Sequence, residues 1–291
     1  MVIMEAYTGF AEVYDIFMDN IPYEQWAQYV IRLLKDNGVN AEDRNCSIVD
    51  LGCGTGTFTE ILSNAGFNMI GIDNSQEMLM IASSKKYRNI YESEDCDESE
   101  ECDESEKCEE LEECDESEEL ENSDSIIYTL QDMRDFAVPA PVSAVVSVCD
   151  SMNYIIEEDE LLEVFKCVKK ALEENGVFIF DMKTQHFFRD VLGENTIAEN
   201  RENAAFIWDN YYYEDESLNE YEMTIFIEEE NGLFRKYEET HVQRGYTIEE
   251  VKQSLATAGL EILNIYDAFT QNPPTDNSER IYFVVKEKIN N

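Results

Sequence analysis

A chain of 291 residues, 43% of them hydrophobic, can bury the core of one large domain with an elaboration, yet it carries a net charge of −44. Residues 92–125 hold 20 Asp/Glu against one Lys, so that stretch carries −19 and the remainder −25. A surface of that sign repels phosphate backbones, no apolar run is long enough to span a membrane, and Met1–Met4 before Glu5 is too short for a secretory leader; the expectation is a cytoplasmic protein with neither nucleic acid nor membrane as partner.

Taken in chain order, residues 5–36 read as two helices. Tyr7, Phe10, Ala11 and Tyr14 recur at three and four, as do Trp26, Tyr29, Val30, Leu33 and Leu34, with Pro22 between the sets and Asn37-Gly38 as the stop. A short buried strand at 47–51 runs into Gly52, Gly54 and Gly56, which lack the Cβ that would bar a sharp turn or a close ligand. A helix over about 56–65 follows, then a strand at Met69–Ile72 ending in Asp73. Asn74 with Glu77 three residues on predicts a capping box and a helix to about Lys86.

Residues 91–125 interrupt this alternation with a degenerate hexapeptide: ESEDCD, ESEECD, ESEKCE, ELEECD. Cys96, Cys102, Cys108 and Cys114 therefore recur every six residues, which spreads thiols over three helix faces and does not match the two-residue spacing of zinc sites. No metal is expected here or elsewhere. A disordered insertion is predicted. Lengthening a loop from about six to about 36 residues costs only roughly 1.5 kcal/mol in closure entropy. Cys46, Cys53, Cys149 and Cys167 are scattered and read as reduced thiols.

Strands at Ile126–Leu130 and Ala144–Cys149 follow, then a helix over 158–173 with Leu161, Leu162, Phe165, Val168 and Leu172 on one stripe. Asn175-Gly176 turns into Val177–Asp181, an apolar run suited to a sheet covered on both faces. Residues 204–244 alternate in β style around an Asn231-Gly232 turn and read as an antiparallel appendage. Thr247 with Glu250 caps a last helix ending at Gly259, and strands at Glu261–Tyr266 and Arg280–Val285 close the chain. Strands alternating with helices imply an α/β, doubly wound sheet.

The run Val49-Asp50-Leu51-Gly52-Cys53-Gly54-Thr55-Gly56 places an acid two residues before G-x-G-x-G. A dinucleotide fingerprint would instead put its third glycine at 57, which is Thr57. The run resembles motif I of the class I S-adenosylmethionine-dependent methyltransferases. The resemblance implies a Rossmann-like seven-stranded sheet of order 3-2-1-4-5-7-6, built from 1–183 and 245–291 with lid helices over 5–36, and a substrate-covering appendage over 184–244. It implies S-adenosyl-L-methionine as cofactor and methyl transfer to N or O of a small molecule. The alternatives are methylation of RNA or protein, an NAD-dependent oxidoreductase, and a non-catalytic acidic binding protein.

Site residues follow. Asp50, Gly52, Cys53, Gly54 and Gly56 form the motif, and Asp73 with Asn74 stands 21 residues after Gly52, where a carboxylate can accept hydrogen bonds from ribose hydroxyls. The family places an acid and an apolar neighbour near the adenine at the positions of Asp132 and Met133. Ligands of open α/β sheets sit beyond the carboxyl ends of strands, which puts Asp150, Asn153 and Tyr154 at the mouth. The segment from Tyr7 to Asp15 resembles the lid helix of small-molecule methyltransferases, in which a tyrosine reaches the methionine end; Tyr14 and Tyr7 are the candidates, although the same spacing suits plain packing. His241 shares strand parity with Tyr237 and Gln243 and either faces the substrate or sits on the strand surface. Tyr14 and His241 are the catalytic candidates, since methyl transfer needs a base only when the nucleophile still carries its proton. His186 and Arg244 are candidate substrate contacts, or surface residues.

Overall fold

The computed structural model describes residues 10–43, 46–94 and 126–288. Tyr7 and residues 95–125, with the four cysteines of the hexapeptide repeat, lie outside them.

The N-terminal helices are α1 (Phe10–Phe17) and α2 (Tyr23–Asp36). Pro22 precedes α2, and Asn37 and Gly38 end it, with Gly38 at φ +87°. The Asn37 amide donates to Leu33 O at 2.8 Å, satisfying one of the carbonyls that a helix end leaves open. Then come β1 (Ser47–Leu51), α3 (Thr57–Asn64), β2 (Asn68–Asp73), α4 (Gln76–Glu94), β3 (Ile126–Leu130) and β4 (Val142–Ser147). A single 3₁₀ turn (Ser151–Tyr154) leads to α5 (Glu158–Ala171) and β5 (Leu172–Lys183).

After a π-helical turn at Phe187–Leu192, four strands follow: β6 (Thr196–Asn200), β7 (Ala204–Tyr213), β8 (Leu218–Glu228) and β9 (Phe234–Arg244). α6 (Ile248–Ala258), β10 (Leu260–Asp267) and β11 (Arg280–Glu287) complete the chain.

Seven strands make one sheet, ordered β10-β11-β5-β4-β1-β2-β3. With the appendage strands left out of the count this is the expected 3-2-1-4-5-7-6. Strands β1 to β5 pair in parallel, while β11 runs antiparallel to β5 and β10 to β11. Alternation along each strand fills both faces. Ile48, Ala144, Ile179 and Val284 meet α2 and α3 on one side, and Val49, Val145, Phe178 and Phe283 meet α5 and α6 on the other. The sheet is therefore buried on both sides, as the unbroken apolar runs require.

Strands β6 to β9 form a separate antiparallel meander. Its inner face carries Phe206, Tyr221, Met223 and Ile225, and Phe10, Val13 and Phe17 of α1 pack on them. The first described helix thus belongs by packing to an appendage almost 200 residues downstream.

Several expected boundaries move. β4 spans Val142–Ser147 rather than Ala144–Cys149, so Cys149 and Asp150 are not strand residues but sit in left-handed backbone, at φ +61° and +59°. The cap of α4 is Ser75 rather than Asn74: the Ser75 hydroxyl accepts from Met78 N at 3.2 Å. α4 continues past Lys86 to Glu94. β5 starts at Leu172 and absorbs the Asn175-Gly176 turn as an irregularity, its pairing with β4 jumping from Val142↔Leu172 to Ala144↔Val177. β6 and the π-helical turn carry no periodic signal and escape the sequence reading. The Thr247–Glu250 capping box forms as expected, with Gly259 left-handed at the helix end.

Candidate active site

A cavity of about 350 Å³ opens at the carboxyl ends of β1, β2 and β4. Its floor is the glycine turn, and its three glycines serve three different ends. Gly52 sits at φ +80°, and a Cβ there would stand 2.7 Å from the Ser151 Cβ, so only glycine lets the loops after β1 and β4 close together. Gly54 has nothing within 4 Å on its Cβ side, which leaves backbone open to the cavity. Gly56 caps α3 in left-handed conformation, and a Cβ there would meet the Tyr128 ring and, at 3.0 Å, the Ala82 Cβ. It is therefore a packing glycine, not one of the lining residues that the motif suggested.

Asp73 reaches this turn from the end of β2. Its Oδ2 accepts from Gly54 N at 2.8 Å and its Oδ1 from Ser75 N at 2.9 Å. Burial pushes its carboxyl up, and the backbone amides oppose that. A carboxylate has about four acceptor sites, so Asp73 keeps capacity that a ligand hydroxyl can use. Asp50 lies deeper and accepts from Thr59 Oγ1 at 2.6 Å. Burial, with Asp73 nearby, pushes Asp50 up to about 7 although the Thr59 bond lowers it.

Cys53, Asn74, Asp132 and Met133 also line the cavity, and Met78 adds an apolar contact from α4. Asp132 is less free than the sequence suggests. Arg134 donates to it from Nε at 2.9 Å and also pairs with Glu160, and this hydrogen bonding draws Asp132 below the usual carboxylate range.

Tyr14 and Tyr23 line the cavity from α1 and the start of α2. The Tyr14 hydroxyl is hydrogen-bonded with Tyr23, and burial holds it well above the usual phenol range. The next residue, Asp15, ties α1 to the glycine turn: it accepts from Thr55 Oγ1 at 2.7 Å and pairs with Lys85 at 2.5 Å. At its other end, Phe10 N donates to Glu239 Oε1 at 2.9 Å.

Other candidates stand elsewhere. Asp150 lies beneath the wall, where Arg280 (2.8 Å), Lys183 (3.1 Å) and the Gln243 amide (2.9 Å) occupy its carboxylate. Burial alone would raise it, but the two cations outweigh burial and hold it below its usual range. Gln243 also accepts from the Tyr221 hydroxyl, and Arg280 pairs with Asp181 at 2.8 Å, so this network joins the meander to the main sheet. Asn153 is fully buried and spent on backbone, donating to Lys183 O (3.0 Å) and Arg244 O (2.8 Å) and accepting from Lys183 N (2.9 Å). Arg244 binds Ile156 O, Glu158 and Glu250, away from the cavity. His186 pairs with Asp190 at 2.8 Å, also outside it. Asp150, Asn153 and His186 were read as pocket contacts because they follow strand ends, and Arg244 because its charge suits a substrate carboxylate. Their true partners, up to 130 residues away, were invisible to that argument.

Tyr154 does line the cavity. Behind it, the Tyr154 hydroxyl meets His241 Nδ1 at 3.2 Å, and His241 Nε2 meets Glu239 Oε2 at 3.2 Å. His241 is 2% exposed and faces inward, as its parity with Gln243 indicates. Glu239 has that same parity, the one signal that could have revealed it.

The cavity sits at the switch point where crossovers from β1 and β4 diverge, the position for a nucleotide-type ligand in a doubly wound sheet. Together with the closing antiparallel strand pair and the G-x-G-x-G turn, it defines a class I S-adenosylmethionine-dependent methyltransferase. The donor set fits that cofactor: Asp73 suits ribose hydroxyls, Met133 and Met78 a purine face, and the open backbone at Gly54 the amino-acid end. The chain belongs to the methyltransferase domain family, which matches residues 17–265. It is 30% identical over 286 residues to a putative methyltransferase of Geobacillus sp. (strain WCH70), covering 97% of this chain and 100% of that protein. Identity to the putative methyltransferase YqeM of Bacillus subtilis (strain 168) is 30% over 279 residues, 95% of either chain. Among solved structures, an S-adenosylmethionine-dependent methyltransferase from Clostridium acetobutylicum superposes with TM-score 0.74 at 26% identity, over 98% of this chain and 100% of its own. The sugar N-methyltransferase KedS8 from Streptoalloteichus shares the fold at TM-score 0.68 and 18% identity, covering 95% and 93%. Among the described residues, no helix is long and apolar enough to cross a membrane.

Proposed function

We propose that the chain moves the methyl group of S-adenosylmethionine to a nitrogen or oxygen of a small molecule, with residues 184–244 and the N-terminal helices forming the acceptor side. The observation that carries this reading is the roof. α1 is fastened at one end to the glycine turn through Asp15 and at the other to the meander through Glu239, so it lies over the cavity. A roof fastened on two sides suits an acceptor that fits inside better than a polymer that must lie across. The −25 charge outside residues 92–125 also opposes an RNA acceptor. A sugar N-methyltransferase of the same fold agrees with a small acceptor.

When bound, the cofactor supplies an already activated methyl group. The chain's own contribution is placement: Asp73 and the backbone at Gly54 hold one partner, while Tyr14 and Tyr154 border the space for the other. Such positioning is worth up to about 7–11 kcal/mol of a reaction barrier. The test is to incubate the protein with methyl-labelled cofactor and a cell extract, then separate dialysable from macromolecular products. Label in the dialysable fraction is the expected result. Label confined to RNA or protein would overturn the small-molecule reading.

A further inference from the structure

We infer that Arg134 is the positioning residue by which this enzyme tells an amino purine from an oxo purine. Together with Glu160 it holds the Asp132 carboxylate in the one orientation that takes the exocyclic amino group of the cofactor's base. The inference rests on the cofactor and not on the acceptor. Strands β1, β2 and β3 are neighbours in the sheet, and parallel strands stand about 4.8 Å apart. The turns that follow them bring Gly54, Asp73 and Asp132 to one cavity in that order. With Gly54 suited to the amino-acid end and Asp73 to the ribose, the lining left for the base is the stretch after β3: Met133, with Met78 from α4, for its face and Asp132 for its edge.

Arg134 meets Asp132 with three donors. Its backbone N–H and its Nε reach Oδ1 at 2.8 Å and 2.9 Å, and its Nη2 reaches Oδ2. The other end of the guanidinium, Nη1, pairs with Glu160 in the first turn of α5. The Cys167 thiol of the same helix donates to Arg134 O at 3.4 Å. The clamp is thus fixed to a helix whose Leu161, Val164 and Phe165 sit in the core. Three donors on about four acceptor sites leave room for one donor from the cavity. Gln131, the remaining polar side chain of this loop in the cavity lining, is spent elsewhere: its amide donates to Thr129 Oγ1 and Ala137 O and accepts from Ala137 N.

An ionised carboxylate accepts hydrogen bonds and never donates them. The 6-amino group of adenine offers it an N–H, whereas the 6-oxo group of hypoxanthine offers only lone pairs and is repelled. A site built around such a hydrogen bond rejects the analogue that lacks it far more sharply than a difference in size would. Stability does not account for the clamp. Asp132, Arg134 and Glu160 are each about a third or more exposed, where an ion pair adds little to folding. What the planar guanidinium adds at such a place is direction, since its fork fits both carboxylate oxygens at once. An unclamped carboxylate at the rim turns among rotamers, and ordering it then opposes binding.

The test is calorimetry with the demethylated cofactor, S-adenosylhomocysteine, and with S-inosylhomocysteine, which carries hypoxanthine in place of adenine. Wild type is compared with R134M, R134K and E160Q. Wild type should prefer the adenine compound by about 10- to 100-fold, the range of one hydrogen bond to a charged group. In R134M the preference should fall to about 3-fold or less as that bond loses its fixed acceptor. The loss should fall on the adenine compound alone, whereas general damage to the cavity would weaken both compounds equally. R134K keeps the charge without the fork and should lose most of the preference too; E160Q should lose part of it. Thermal melts check that each variant folds, and should R134M unfold, R134K carries the test. A preference in R134M equal to or above that of wild type would overturn the inference. So would full preference in R134K, which would make charge rather than orientation the cause. Tight binding of both compounds to wild type without preference overturns it while leaving the cofactor in place. A wild type that binds neither removes the cofactor reading and the inference together.

Discussion

The two sides of the cavity are built on different principles. The cofactor side is backbone: three glycines within five residues, one carboxylate 21 residues on, and amides supplied by the chain itself. The opposite side, which we assign to the acceptor, is lined by Tyr14, Tyr23 and Tyr154 and backed by β8 and β9 through packing and one buried ion network. A site made of local backbone is encoded in spacing, whereas one made of converging side chains is encoded in tertiary contacts. The first kind tolerates sequence drift around it. The second can be retuned residue by residue, as a change of acceptor demands.

The largest effect that would sharpen this contrast is at the seam. Arg280→Met leaves Asp150 and Asp181 buried without their shared cation, and a loss of about 3–5 kcal/mol is expected in urea unfolding. A loss below about 1 kcal/mol would mean that the two sides stand independently. Asp50 gives the next effect, and its sign is opposite to the usual carboxylate case. Its folded pKa is raised to about 7 from an ordinary value near 4, so the folded state binds the proton more tightly. Stability should then fall as pH rises from about 4 to 7. Asp50→Asn should flatten that slope by up to a few kcal/mol in thermal scans, and an unaltered slope would remove Asp50 from the account.

Gly52→Ala adds left-handed strain to a clash with Ser151, at a cost of about 2–3 kcal/mol in stability. Gly54→Ala meets open space and costs only the strain, about 1–2 kcal/mol. Equal losses at the two glycines would break the distinction drawn between them. On the ligand itself, Asp73→Ala removes hydrogen bonds to a charged group, so calorimetry should show weaker cofactor binding by about 1.5–3 kcal/mol. The smallest effect is at Asp15→Asn. That pair is partly exposed, so about 0.5–1 kcal/mol is at stake, read as faster hydrogen exchange over Phe10–Phe17 with little change in global stability.

This division also accounts for what the sequence made legible. The sheet order, the glycine turn, Asp73 facing it and the Thr247–Glu250 cap all rest on residues near one another or on strict alternation. Tyr154 and His241 were visible by strand end and parity, yet their contact with each other, and that of His241 with Glu239, was not. Asp150, Asn153, His186 and Arg244 were misplaced because a polar residue after a strand can serve the ligand or the scaffold. Which it does depends on partners such as Arg280 or the Lys183 backbone, which no local pattern announces. Arg134 stands two residues from Asp132, yet only the arrival of Glu160 from α5 shows that it clamps that acid. β6 was missed since TIAEN alternates too weakly to be heard.

Glu239 spends its two oxygens on two tasks, one on the first turn of α1 and the other on His241. Raising that helix by even one hydrogen-bond length would break the contact at one oxygen while the other still faces the imidazole. The start of the first helix and a ring on the last meander strand are therefore coupled through one side chain.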